Sequence, residues 1–381
     1  MTHPLLDGAA TRIAQIRTHP LRVRLEKTQR TSMGDWTSLE IVVVEIETEA
    51  GHIGFGECLA RKGSPAYAAF IDTVLAPLLI GEDALDRRRH WQRMRSVLTG
   101  RAGGMLIEAI AGIDIALWDL AGKAAGLPVH RLLGGIGRTH VPAYASSINW
   151  ADEAQAGTEI TAALTAGFKS IKVKIGQPVR AACERICFAR RLAGDAIDLS
   201  VDANWAYDVD DAVRVGRVLA DLGYAWFEEP IRPENRAGYR RLREQLPIRL
   251  AAGESDFSAA DALGSLEDRS LGLIQPDVAR AGGITETWRI AELAASFDVC
   301  YAPHVGWSGA ICVAASLQLA AAAENCTIIE CMVFPNPLRE SLASEAVGDA
   351  SQLVDGALPV PTGAGLAIEV DRGFLAEYRA E

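Results

Sequence analysis

The chain has 381 residues, 49% of them apolar and 23% charged, which is enough for a sizeable core and too long for one ordinary domain. A net charge of −11 argues against a nucleic-acid partner, because that role needs a basic face to release counterions. An anionic substrate would have to find local positive charge, from a metal ion or from lysines.

Seven cysteines at 58, 183, 187, 300, 312, 326 and 331 form no CxxC pair, and reduced thiols in a cytoplasmic protein are expected. The opening MTHPLLDGAATRIAQIR lacks the charged-then-apolar order of a signal peptide. Residues 11–60 read as strands and turns: 41–48 is β-branched, Glu49 to His52 is a turn, and 52–58 returns as a partner strand. From Tyr67 the pattern turns helical, with a long run over 106–126 that ends at glycine. The first third is therefore an α+β unit.

From about Val141 short apolar strands alternate with helices. Strands are expected at 141–145, 170–175, 198–202, 225–228, 248–252, 272–275, 299–302 and 327–329, with helices between them such as 184–192, 209–222 and 286–295. Each strand is apolar enough to be buried on both faces, and closure into a parallel eight-stranded barrel follows. The apolar stretch 309–323, interrupted by Gln318, is short for a membrane span and reads as a buried helix. The tail carries Gly363-Ala364-Gly365, and 366–370 is expected as an edge piece returning to the first unit.

Reactive groups of such barrels sit where strands end. Here the strand ends carry Lys172 and Lys174, Asp202 and Asn204, Glu228, Glu254, Asp277, His304 and Glu330, at steps of 23 to 28 residues from Lys174 onward. One ionisable group per βα unit points into one mouth. Lys172 and Lys174 are two apart and share a strand face. A surface lysine pair is the alternative, but Ile171, Val173 and Ile175 imply a buried strand. Each lysine lowers the other's proton affinity, so a neutral amine base is plausible.

Asp202, Glu228 and Glu254 end three successive strands. They either pair with the lysines as structural salt bridges or surround a hard cation such as Mg²⁺, and the even spacing favours the metal. Glu229 should face away from Glu228 and support the site from behind. Asp277 beside His304 would fix the imidazole tautomer and raise its basicity. Glu330 is either a solvated carboxylate or a proton donor with a raised pKa.

The strings IKVKIG, VDANW, FEEP, AAGES, IQPD, APH and IIE, in this order, resemble the mandelate racemase subgroup of the enolase superfamily. AIAGIDIALWDLAGKAAGLPVHRLLGG resembles that family's linking segment, so the likeness covers nearly the whole chain. The resemblance implies an α/β fold: a modified (β/α)7β TIM-like barrel over 136–345, an N-terminal α+β capping domain over 1–135, and a segment 346–381 returning to the cap. It implies Mg²⁺ on Asp202, Glu228 and Glu254, with Lys174 and the Asp277–His304 pair on opposite faces of a small-molecule carboxylate substrate. Lys172 would tune Lys174, Asn204 would support the site, and Glu330 would donate a hydrogen bond to the substrate carboxylate. A homo-oligomer without a membrane partner is expected. The GAG of the tail departs from relatives that often place proline between the glycines, which touches tail rigidity and leaves the chemistry alone.

Removing a proton beside a carboxylate loads charge onto the carboxylate oxygens, and a divalent cation there stabilises that charge as it develops. An acid-sugar dehydratase is the leading expectation. A cycloisomerase of an aldarate lactone and a racemase or epimerase of a 2-hydroxy acid are alternatives. The cap loops, about 27–38 and 58–67, carry Arg30, Arg61 and Lys62. These are candidates for binding the far carboxylate of a diacid, or else ordinary surface cations. From other classes, a lysine Schiff-base aldolase conflicts with the clustered carboxylates, and a non-catalytic binding protein gives no reason for lysines opposite a His–Asp pair.

Overall fold

The computed structural model describes residues 8–148 and 152–381. Three antiparallel strands open the chain: β1 (Ile13–Thr31), β2 (Gly34–Thr48) and β3 (Ile53–Cys58). The β-branched run of β2 is buried from Leu39 to Ile46 because α1 (Met105–Ala125) lies on one side of the sheet and the second sheet's elements lie on the other. The helix approaches so closely that a Cβ on Gly56 would come within 1.9 Å of the Gly112 carbonyl oxygen. Only glycine permits that contact. α1 is buried on nearly all sides, its Glu108, Asp114 and Asp119 carboxylates included, and ends at Gly126 in the left-handed conformation with φ 65°.

The second half alternates strand and helix: β4 (His140–Ile148), α2 (Glu153–Thr165), β5 (Ser170–Lys174), α3 (Val179–Ala193), β6 (Asp198–Asp202), α4 (Val209–Asp221), β7 (Trp226–Glu228), α5 (Arg236–Gln245), β8 (Arg249–Ala252), α6 (Ala259–Glu267), β9 (Leu273–Ile274), α7 (Gly283–Ala295), β10 (Cys300–Tyr301), α8 (Ala310–Ala322) and β11 (Ile329–Met332). The strands form a curled parallel sheet in the order β10-β9-β8-β7-β6-β5-β4-β11. Beyond that ladder, the Thr327 amide reaches the Tyr301 carbonyl at 3.1 Å, an isolated parallel contact from β10 to the segment leading into β11. α8 is the apolar run of the sequence, buried along its whole length. Among the described residues no helix is long and apolar enough to cross a membrane.

Two expectations need correction. The last strand runs over Ile329–Met332 rather than 327–329, because Thr327 pairs with β10 while Ile329 to Met332 pair with β4. Residues 366–370 return towards the first unit as expected, but as loop and isolated-bridge contacts with no strand of their own. The Leu366 amide is taken by the Asp119 carboxylate of α1 at 2.8 Å, and Gly365 exchanges bonds with Leu127 and Val129. The strand of the tail is instead β12 (Ala357–Pro359), antiparallel to β4. The chain then returns to the first sheet through α9 (Arg372–Glu377): Arg372 pairs with Glu45 at 2.7 Å, and the Arg22 amide reaches the Tyr378 carbonyl at 2.9 Å.

Candidate active site

The expected groups converge where the parallel strands end. Asp202 and Glu228 are the last residues of β6 and β7, Lys172 and Lys174 lie on β5, and Glu330 lies on β11. Glu254, Asp277 and His304 follow β8, β9 and β10 by two or three residues. Glu254 is placed by Gly253, whose φ of +120° and 3.1 Å Cβ clearance to the Gln275 amide exclude a side chain. Ser147, Asn204, Trp205, Glu229 and Trp307, all at or just beyond strand ends, have φ between 41° and 64°. Such backbone strain collects at functional sites and persists where surrounding contacts over-determine it.

Asp202, Glu228 and Glu254 are buried and offer carboxylate oxygens within 4.8 Å of one another. Lys174 Nζ pairs with Asp202 and donates to Asn204 Oδ1 at 3.1 Å. Asn204 also donates to Asp202, from its amide at 2.8 Å and from Nδ2 at 3.2 Å. Lys172 Nζ sits 2.5 Å from Glu228 Oε1, 3.2 Å from Glu330 Oε1 and 3.4 Å from the Tyr144 hydroxyl. The other Glu228 oxygen accepts from Trp226 Nε1 at 3.1 Å and Gln275 Nε2 at 2.7 Å.

Burial alone would lower both lysines, but Glu228 and Glu330 lift Lys172 well above its usual value, and Asp202 lifts Lys174. The nearest carboxylates outweigh the neighbouring ammonium.

On the other side of the triad, His304 Nδ1 meets Asp277 Oδ2 at 2.8 Å and Nε2 lies 3.2 Å from Glu254. Burial works against its charge, but Glu254, Glu330 and Asp277 raise the imidazole to about 9. Burial would also raise Glu254, yet His304, Arg61 and Lys174 hold it at about 2. Glu330 is pulled in the same direction as Glu254. Burial favours its protonated form, but Lys172, His304, the Ser146 hydroxyl at 2.5 Å and the Val305 amide at 2.9 Å hold it ionised, far below the usual carboxylate range. Its two oxygens accept from Ser146 and Val305.

Glu229 is fully buried, with the Trp205 indole as its polar neighbour. Burial, with Glu254 and Asp202 nearby, pushes its carboxyl well above its ordinary value. It lies past the end of β7 with φ 41°, so strand alternation does not fix its direction.

Of the cap-loop cations, Arg61 reaches the mouth. Its Nη2 is 3.7 Å from Glu254 Oε1, and among the described residues its buried Nε and Nη2 have no hydrogen-bond partner. Lys62 lies over the Trp36 ring at 5.3 Å, and Trp36 stacks on Trp307 at 5.3 Å. Arg30 does not reach the site. The β1–β2 register sets it opposite Asp35, which takes it at 2.7 and 3.0 Å. Sequence reasoning missed Tyr144, Ser146, Trp226 and Gln275. Trp226 stands two residues before Glu228 on the same strand face, and Gln275 lies inside the IQPD string, so period two was the available signal.

Three buried carboxylates converging from three strands are costly unless a cation lies among them, and an all-oxygen donor set suits Mg²⁺. The residues present therefore fit that ion. Around it stand two proton-carrying side chains, Lys174 against Asp202 and His304 against Glu254, and a carboxylate, Glu330, bound to Lys172.

The profile of the mandelate racemase / muconate lactonizing enzyme N-terminal domain matches residues 14–134, and that of the enolase C-terminal domain-like group matches residues 155–374. The chain is similar to the D-galactarolactone cycloisomerase of Agrobacterium fabrum, 33% identical over 97% of this chain and 99% of that one. It is equally similar to the arabinonate dehydratase of Saccharolobus solfataricus, 33% identical over 90% of this chain and 91% of that one. Among solved structures, a racemase from Streptomyces coelicolor A3(2) with bound magnesium superposes with a TM-score of 0.89 and 30% identity, covering 97% of this chain and 100% of that one.

Proposed function

Since the chain belongs to the mandelate racemase / muconate lactonizing enzyme family of the enolase superfamily, whose lyases and isomerases use Mg²⁺, we propose that it removes the proton α to the carboxylate of an acid sugar and expels the β-hydroxyl. The observation that carries this reading is the flanking of one acid triad by two proton carriers, Lys174 at Asp202 and His304 at Glu254.

Asp202, Glu228 and Glu254 would hold the ion. When bound, Mg²⁺ supplies positive charge that stabilises the developing enediolate and lowers the proton affinity of Lys174. One of the two bases takes the α-proton, and the C–H electron pair moves into the carboxylate. The other protonates the departing β-hydroxyl, which leaves as water, and the resulting enol gives a 2-keto-3-deoxy acid. Asp277 fixes the tautomer of His304, while Lys172 balances Glu228 and Glu330. Arg61, whose buried Nε and Nη2 make no hydrogen bond among the described residues, is suited to a substrate oxygen. On this reading the curled sheet is the family's barrel of seven βα units and a last strand, capped by residues 1–135, with 346–381 tying cap to barrel.

A second reading is supported by the near full-length similarity to a cycloisomerase. The same proton abstraction from an aldarate lactone would expel the ring carboxylate oxygen and give no loss of water. A Schiff-base aldolase would give no role to the buried acid triad or to the His304–Asp277 pair. The test is a screen of aldonates, aldarates and their lactones with Mg²⁺, scoring keto-acid formation against lactone rearrangement by NMR. Turnover that persists in excess chelator, or in Glu254→Gln with unchanged Mg²⁺ affinity, would overturn the proposal.

A further inference from the structure

His304 belongs to a segment, residues 304–309, that leads into α8. That helix has no side-chain cap from its own chain neighbourhood. Its cap comes from the first sheet. Glu57, the penultimate residue of β3, is fully buried and accepts from the Gly309 amide at 2.6 Å and the Cys312 amide at 3.1 Å. A carboxylate on those orphan amides satisfies them and complements the helix dipole. The carbonyl side of the segment is gripped from elsewhere. Arg339 donates to the Val305 carbonyl at 2.8 Å and the Ser308 carbonyl at 3.2 Å, and Asn336 donates to Ser308 at 3.1 Å. Between these anchors lies Trp307 with φ 63°, a strained backbone that needs both ends pinned. The Cys312 thiol also lies 3.8 Å from Asp277, the partner of His304.

Burial is costly for Glu57. It pushes the carboxyl up to about 7 against the pull of the Gly309 and Cys312 amides. A stability role alone could be filled by a neutral side chain at less cost.

We propose that Glu57 is a positioning residue for His304, so that the His304 half of the reaction depends on the first sheet being docked on the second. The kinetic consequence rests on the two-base reading above; the structural consequence does not. Glu57 acts through the backbone of residues 305–312 and touches neither the acid triad nor Lys174.

The variant is Glu57→Gln, which keeps shape and loses the charge. Without substrate, hydrogen exchange in peptides covering 304–312 should rise at least tenfold while Mg²⁺ affinity stays within twofold of the parent. An unchanged segment, or a parallel loss of Mg²⁺ binding, would overturn the proposal.

With Mg²⁺ in D₂O, D-galactonate and D-talonate, monoacids epimeric at their single α-carbon, report the two faces separately. The variant should keep the exchange served by Lys174, lose that served by His304 by about 10- to 100-fold, and keep KM within twofold, since small misplacement of a reacting group costs rates of that order. Equal loss on both faces would mean a merely structural role and would refute positioning. Arg339→Lys, which frees the same segment from its carbonyl side, should show the same one-sided loss. If the parent enzyme exchanges neither acid, the two-base reading fails while the exchange and Mg²⁺ measurements still decide the role of Glu57.

Discussion

Replacing Lys172 by methionine isolates the electrostatic keystone of the site. The ammonium is 1% exposed and stands 2.5 Å from Glu228 and 3.2 Å from Glu330. At an effective dielectric of about 20, the two attractions are each about 5–7 kcal/mol before desolvation, and desolvation removes most of that. What the substitution leaves is the decisive quantity: two buried carboxylates without their shared cation, costing about 3–5 kcal/mol, with side-chain volume nearly conserved. In chelator, urea unfolding followed by circular dichroism should show that loss in full. Saturating Mg²⁺ stabilises any protein that binds it when folded, by about 2.7 kcal/mol at a hundred times Kd. The gain should be larger in Lys172→Met than in the parent, because the cation replaces attraction that the lysine supplied to Glu228. A variant within about 1 kcal/mol of the parent in chelator, judged against that 3–5 kcal/mol cost, would refute this account of Lys172.

Gly56→Ala should abolish or severely reduce soluble folded protein, since its Cβ would meet the Gly112 carbonyl at 1.9 Å; a melting temperature equal to the parent's would show that α1 can retreat from β3. Burial pushes the Asp114 carboxyl up to about 7 from 3.8. The fold therefore holds this proton more tightly than the unfolded chain does, and the stability it contributes below about pH 3.8 is lost as the pH rises through about 7. Asp114→Asn should flatten the stability profile over that window by up to roughly 4 kcal/mol, and urea titrations that show a steeper profile in the variant would contradict the sign. Deleting residues 356–381 removes the Arg372–Glu45 pair and the backbone bonds from Arg22 and to Pro20. Hydrogen exchange should accelerate in β1 and β2 and stay unchanged around Asp202 and Glu228; protection retained in β1 would show that the tail does not brace that sheet.

Much of this protein can be read from sequence, and the reason is locality. Short apolar runs placed all eight parallel strands within three residues of their observed bounds. One ionisable group at each strand end revealed Lys174, Asp202, Glu228, Glu254, Asp277 and His304, because strand-end position is a property of each βα unit alone. β12 escaped because a three-residue strand carries little periodic signal, and 366–370 escaped because an Asp119 carboxylate, far away in sequence, took the amide that an edge strand would have used. Protonation states lay beyond the sequence for the same physical reason. Whether Glu330 is ionised depends on Lys172, Ser146 and the Val305 amide, and whether Lys174 is neutral depends on Asp202, all of them distances set by packing. Arg30 shows the limit at short range, since only the strand register reveals that Asp35 stands opposite and claims it. Glu57 shows it at long range. It lies 252 residues from Gly309, and only the docking of one sheet on the other brings that carboxylate to the helix that positions His304. Composition and spacing determine which chemistry a chain carries, whereas distance and burial, which exist only after folding, determine the charge and the aim of each group.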